Sequence, residues 1–209
     1  MEVAIKNGSG GDVALVDKNR RLHTETIIQE QADHACDSGI GEKYNINTGD
    51  ITVTNATKLT TLYIKNTGSE DLVPTALIYN LGTTANGSGD AKIDVIRNPE
   101  TGDIVTNAND VLVGTGEEAN QNFAATSTLT GNFYKGAVGE TAVNGSVTIT
   151  TRSASNTGRI FLSLGAITIP QGKSLAIDYT PPTSNTSQIV QFAVACFVRT
   201  SKVTVGDVN

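Results

Sequence analysis

The sequence predicts an all-β fold: a jelly-roll-like β-sandwich with an extended N-terminal hairpin and arm. Three observations predict it. Val, Ile and Thr recur in short runs between Gly- and Asn-rich breaks, with 21 Gly against 5 Pro, a texture that favours strands and tight turns over helices. The breaks carry regular turn signals, as a chain of short strands in a sandwich or jelly roll requires. Residues 18–43, "KNRRLHTETIIQEQADHACDSGIGEK", hold no sustained helical or strand period and read as an extended arm.

From the start of the chain, residues 2–17 read as a small hairpin. Val3 and Ile5 alternate against Val13 and Leu15, and "NGSGG" between them supplies the positive-φ residues a hairpin turn needs. The arm follows, with room for a short helix over residues 28–35. Strands are then expected over residues 51–54, 61–65, 75–80, 92–97, 111–114, 146–151, 159–164, 174–179 and 187–199. Turns are expected at Asn66-Thr67-Gly68, Ala85-Asn86-Gly87, Asn98-Pro99, Asn144-Gly145 and Pro181-Pro182. The small polar residues of 117–139 suit a long excursion or a brief helix. The expected organisation is a hairpin and arm over 1–43 and one sandwich domain over 44–209.

The last expected strand, "QIVQFAVACFVR", is among the most apolar. Val190, Phe192, Val194, Cys196 and Val198 share one wholly apolar face, which must be buried. Ile189, Gln191, Ala193, Ala195 and Phe197 form a mixed face that suits another layer or a subunit. In a Greek-key sheet a late strand returns to lie beside an early one, so this strand is expected to complete the fold.

Composition excludes several classes of function. Charged residues are 17% of the chain and the net charge is −6, which points to no nucleic-acid partner and no acidic membrane surface. No apolar run reaches the roughly 18 residues that a membrane-spanning helix needs. "MEVAIKNGSGGDVALVD" lacks a basic start and an apolar block, so synthesis in a cytoplasm without export by a signal peptide is expected. That compartment disfavours a disulfide between Cys36 and Cys196, and Cys196 reads as a buried small hydrophobe.

Chemistry-bearing motifs are sparse, and no cofactor is expected. "DHACD" (Asp33, His34, Cys36, Asp37) matches no zinc spacing and has no second cluster to complete it. His23 and His34, the two histidines of the chain, both lie in the arm, away from the scaffolded loops on which catalytic triads are built. "GTGEEANQ" lacks the Lys-Ser/Thr of a phosphate loop. Asp90, Asp94, Glu100 and Asp103 offer oxygen ligands without the acidic spacing of a calcium loop, and read as turn acids. With no Trp, and with Tyr44, Tyr63, Tyr79, Tyr134 and Tyr179 at strand or strand-edge positions, the aromatic residues read as core. The Asn-X-Ser/Thr triplets at Asn7, Asn55, Asn86, Asn144 and Asn185 read as chance products of composition.

Four stretches carry a resemblance when taken in order. They are "VDKNRRLHTETI", "YNINTGDITVTNATKLTTLYIKNTGSEDLVPTALIYNLG", "NFYKGAVGETAVNGSV" and "GRIFLSLGAITIPQGKSLAIDYTPPTSNTSQIVQFAVACF". Together they cover most of the chain and resemble small virion proteins of tailed bacteriophages, several of which are jelly-roll capsid decoration, or cement, proteins. The resemblance implies a non-enzymatic β domain on the capsid exterior, trimeric, assembled in the host cytoplasm. Its partner would be the major capsid protein, gripped by an extended segment. Arg20, Arg21, Leu22, His23, Ile27 and Ile28 of the arm suit that contact, since an extended segment can add strand pairing to a coat subunit. A second reading is a virion-attached fibre or adhesin that binds host-surface glycan. A hydrolase or lyase on a β scaffold stands third, disfavoured by the scarcity of catalytic residues.

Overall fold

A computed structural model describes residues 5–6, 13–14, 43–82, 89–106, 111–112, 128–137, 139–153, 158–164 and 167–199. The chain divides into two compact units, Met1–Gln31 and Ala32–Asn209. In the first, strands β1 (Ile5–Lys6) and β2 (Val13–Ala14) pair antiparallel, with Ile5 opposite Ala14. This pairing falls within the expected hairpin, the rest of which lies outside the described residues. The expected helix over 28–35 lies outside the described residues.

The second unit begins with β3 (Lys43–Asn47), β4 (Ile51–Val53), β5 (Leu59–Asn66), β6 (Asp71–Leu81) and β7 (Ala91–Arg97). A single helical turn, α1 (Asp103–Thr106), precedes β8 (Val111–Leu112) and β9 (Gly131–Lys135). The chain continues through β10 (Ser146–Ser153), β11 (Gly158–Ser163), β12 (Ser174–Thr180) and β13 (Gln188–Arg199). All nine expected strands of this unit are there, and β3 and β9 are additional. β9 lies in the stretch read as an excursion: "GNFYK" has one buried residue, Phe133, too little apolar alternation to announce a strand.

The strands form two antiparallel sheets, a β-sandwich. One has six strands in the order β10-β7-β12-β5-β9-β8; the other has five, β11-β6-β13-β3, with β4 also on β13. The pairing is nested. β13 pairs with β3 and β4, β12 with β5, β11 with β6 and β10 with β7. The chain therefore runs out and back like one long hairpin rolled on itself, the strand order of a jelly roll. β8, β9 and α1 are inserted at the tip of that hairpin, between β7 and β10.

The core lies between the sheets. Leu62, Ile64, Ile93, Ile177 and Tyr179 from the six-stranded sheet meet Ile46, Leu77, Tyr79, Val190, Phe192 and Val194 from the other. β13 is central, and Val190, Phe192, Val194 and Cys196 are fully buried as their alternation requires. Val198 departs from the expectation. A register irregularity between Ala195 and Cys196 on the β6 side shifts the alternation, so Cys196 and Phe197 are both buried while Val198 is half-buried. Phe197 instead joins Val73 in a small separate cluster.

β5 and β12 are buried almost end to end, because the outer face of their sheet is also covered. Ile104 of α1 and Val143 pack there on Tyr63, Ile96 and Ala176. Corners are fixed by side-chain amides. Asn66 Nδ2 donates to the carbonyls of Glu70 and Ile169, and its Oδ1 accepts from Gly68 N, holding the passage from β5 to β6.

Candidate functional site

Two features of the sandwich bring chemically capable side chains together. The first begins with a shared sequence element: Ile93-Asp94 on β7 and Ile177-Asp178 on β12. Antiparallel register sets Asp94 opposite Asp178, on the face away from the core. Both side chains are almost completely shielded, at 2% and 0% exposure. Two buried carboxylates side by side repel each other and lose hydration, so they persist only with cations and donors around them. Lys58 Nζ stands 2.8 Å from Asp178 Oδ2 and 3.7 Å from Asp94 Oδ2, and Lys92 Nζ 2.9 Å from Asp94 Oδ2. Thr60 Oγ1 donates to Asp178 Oδ1 at 2.7 Å, and Thr150 Oγ1 to Asp94 Oδ1 at 2.8 Å. Thr60 Oγ1 in turn accepts from Val143 N at 3.0 Å, tying the cover segment to the cluster.

The surroundings push the two acids apart. Burial raises Asp178 above the ordinary carboxylate range, despite the opposing help of Lys58 and Thr60. Burial acts upward on Asp94 too, but hydrogen bonds from Lys92 and Thr150 and the charges of Lys92 and Lys58 outweigh it and hold Asp94 low. Such a split is what an acid–base pair uses. Here two lysines balance two aspartates and the carboxylates are shielded from solvent, so the geometry is that of a strut between β7, β12, β5 and β10. Asp94, grouped with the turn acids although it falls in the expected strand over 92–97, is a buried strand residue, because Lys58 and Lys92 make its burial tolerable.

The second feature is open. On the outer face of the five-stranded sheet, Phe161 of β11, Ile78 of β6, Ala193 of β13 and Asn47 of β3 lie in one cross-strand row. The neighbouring row carries Arg159, Asn80 and Gln191. Ala193 on the central strand is short, while longer side chains rise on both flanks. The result is a trough of about 330 Å³ with Asn45, Asn47, Asn80, Arg159 and Gln191 around it. Gln191 Nε2 donates to Asp50 Oδ1 at one end. Asn45 Oδ1 is buried without a hydrogen-bond partner among the described residues. Phe161 is 67% exposed beside it.

The residues singled out in the sequence are distributed otherwise. Arg20, Arg21, Leu22, His23, Ile27 and Ile28 lie outside the described residues, as do Asp33, His34, Cys36, Asp37 and the "GTGEEANQ" loop. Asp90 and Glu100 are exposed, and Asp103 opens α1 and accepts from Thr141 N. Tyr44, Tyr63, Tyr79 and Tyr179 are buried in the core, and Tyr134 stacks half-buried on Tyr63. Cys196 is a free, fully buried thiol, pushed well above its usual range by burial. Among the described residues no group of three His, Cys, Asp or Glu is placed to hold a metal. No helix among them is long and apolar enough to cross a membrane. Sequence reading missed Asp178, although the repeated Ile-Asp in two facing strands signalled it. It also missed the trough, whose signal was the outward set Arg159, Phe161 and Ser163 alternating with inward Ile160 and Leu162.

No family model and no curated protein matches the chain. Among solved structures, the chain is similar to infectious bursal virus derived T=1 particles, with 9% identity and a TM-score of 0.19 over 77% of this chain and 40% of that one. It is also similar to the infectious bursal disease virus VP2 subviral particle, with 13% identity and a TM-score of 0.18 over 77% of this chain and 42% of the other. The chain thus spans about two fifths of those chains. Likeness at this level carries no inference about fold or function.

Proposed function

We propose that the chain is a non-enzymatic virion structural protein: a decoration, or cement, protein of a tailed-phage capsid. It binds the outer surface of the major capsid protein as a homotrimer and bridges coat subunits, with residues 1–43 as the anchoring arm. The nested, jelly-roll pairing of the sandwich is the observation that carries this reading, joined to the ordered resemblance of four sequence stretches to small virion proteins. Fold alone does not fix function. Two further facts fit a structural role. The cluster of Lys58 and Lys92 with the buried Asp94 and Asp178 holds strands together, and Val147 on β10 and Ile189 on β13 remain half exposed, available to contacts between subunits.

The test uses copy number. Purified virions run on a quantitative gel should show this chain in a fixed ratio near that of the coat protein, and added protein should raise the melting temperature of undecorated shells. A handful of copies per particle, or none, rules out the decoration role.

A further inference from the structure

We infer that the trough on the outer face of the five-stranded sheet is an oligosaccharide-binding site. The inference is independent of capsid attachment, since the same groove would serve a decoration protein or any other carrier. Its walls are chemically selective. Amide and guanidinium groups present planar pairs of donors and acceptors, suited to the adjacent hydroxyls of a sugar ring. Asn45, Asn47, Asn80, Gln191 and Arg159 supply them from all four strands that run across the sheet. Asn45 Oδ1 is buried with no donor among the described residues.

Phe161 completes the site. It projects from β11, the edge strand, with most of its ring in solvent, while Ile78 next to it in register is half-buried. An exposed ring at the rim of a polar groove offers a flat apolar surface on which the C–H face of a pyranose can stack. The short Ala193 floor lets a ligand approach the backbone of the central strand. The volume of about 330 Å³ lies at the small end of the range for small-ligand clefts, about 300–1,000 Å³. A protein partner fits less well: interface centres favour clustered aromatic residues and Met, whereas the centre here is alanine and amides.

The experiment presents the full-length protein to immobilised maltohexaose, cellohexaose, chitohexaose and mannohexaose, then titrates the best-bound hexasaccharide in solution by calorimetry. Arg159→Ala and Phe161→Ala should each weaken binding about ten-fold or more, equivalent to about 1.4 kcal/mol. Arg152→Ala, an exposed residue of β10 on the other sheet, should leave it unchanged. Absence of binding to all four sugars at millimolar concentration overturns the inference, and so does wild-type affinity in both trough variants. If Phe161→Ala instead lowers the mass in solution and no sugar binds, the face is a contact between copies and the inference fails.

Discussion

Asp94 and Asp178 occupy opposed register positions on neighbouring strands, both carboxylates are buried, and Lys58 reaches between them. Like charges directly opposite on a sheet destabilise it, so the pair holds only through its four polar neighbours. The opposite displacement of the two acids makes this cluster sensitive to pH.

The sign differs for the two residues. Asp178 is raised by burial, so its contribution to stability is present below the ordinary value of about 3.9 and lost as pH rises through its folded value. Asp94 is held low despite burial, by Lys92, Thr150 and Lys58; its contribution is present above the ordinary value and lost as pH falls through the folded one. Urea midpoints measured from pH 3 to pH 7 should show wild type losing ground to Asp178→Asn as pH rises. Against Asp94→Asn, wild type should gain over the lower part of the range. Parallel pH profiles for all three proteins would contradict the assignment.

Removing the bridging cation tests the same strut. Lys58 is partly exposed, at 37%, so its loss is cushioned by water. Lys58→Met should still cost about 1–3 kcal/mol, because Asp178 loses its ion-pair partner while staying buried. A variant as stable as wild type at pH 7 would mean that Asp178 is held protonated without Lys58.

Phe192 is fully buried and packs against the rings of Tyr79 and Tyr179 at centroid separations of 6.1 and 5.8 Å. Phe192→Ala should cost about 3–5 kcal/mol, the scale of a large core truncation. Denaturation within error of wild type would show that the sandwich collapses around the gap.

Gly136 marks a place where two backbones nearly touch. Its amide donates to Thr61 O at 3.2 Å, and a Cβ there would fall on the carbonyl oxygen of Thr60. Gly136→Ala should therefore destabilise by about 1–3 kcal/mol, as overpacking does, and should disturb the Thr60–Asp178 hydrogen bond. An unchanged melting temperature would show that the segment after β9 moves aside freely.

The arm is tested by deletion of residues 1–42, which keeps Lys43 and the whole of β3. Ordering an aperiodic segment costs about 1–2 kcal/mol per residue of backbone entropy, which a partner must offset. The truncated chain should keep a β-type circular dichroism spectrum yet fail to bind undecorated capsids. Binding as tight as that of the full-length chain would place the anchor in the sandwich.

Legibility from sequence followed how completely one face of a strand was apolar. β13 was readable to the residue up to its register irregularity, because five alternate positions are apolar with no exception. β5 and β12, buried on both faces, showed strand propensity but not which face met the core, since α1 and Val143 cover the outside. β9 was hidden by its polar residues. Asp94 was misplaced for a related reason: composition marks an acid as a surface residue, and only register reveals the lysines that permit its burial. The trough was harder still, because its rows join residues from β3, β6, β11 and β13, separated by up to most of the unit's length.

The nested pairing also dictates an order of events during synthesis. Among the described residues of their unit, β3 and β4 are the first strands to leave the ribosome, and their partner β13 is the last. Until Gln188–Arg199 emerges, β6 also lacks a neighbour on one side, and the apolar faces of Ile46, Leu77 and Tyr79 have no central strand to close over them. Pairing across such sequence distance is slow, and open strand edges invite association with other chains. A polypeptide that carries β3 to β6 but stalls before residue 188 is therefore an aggregation-prone fragment, and the sandwich closes only after translation has passed β13.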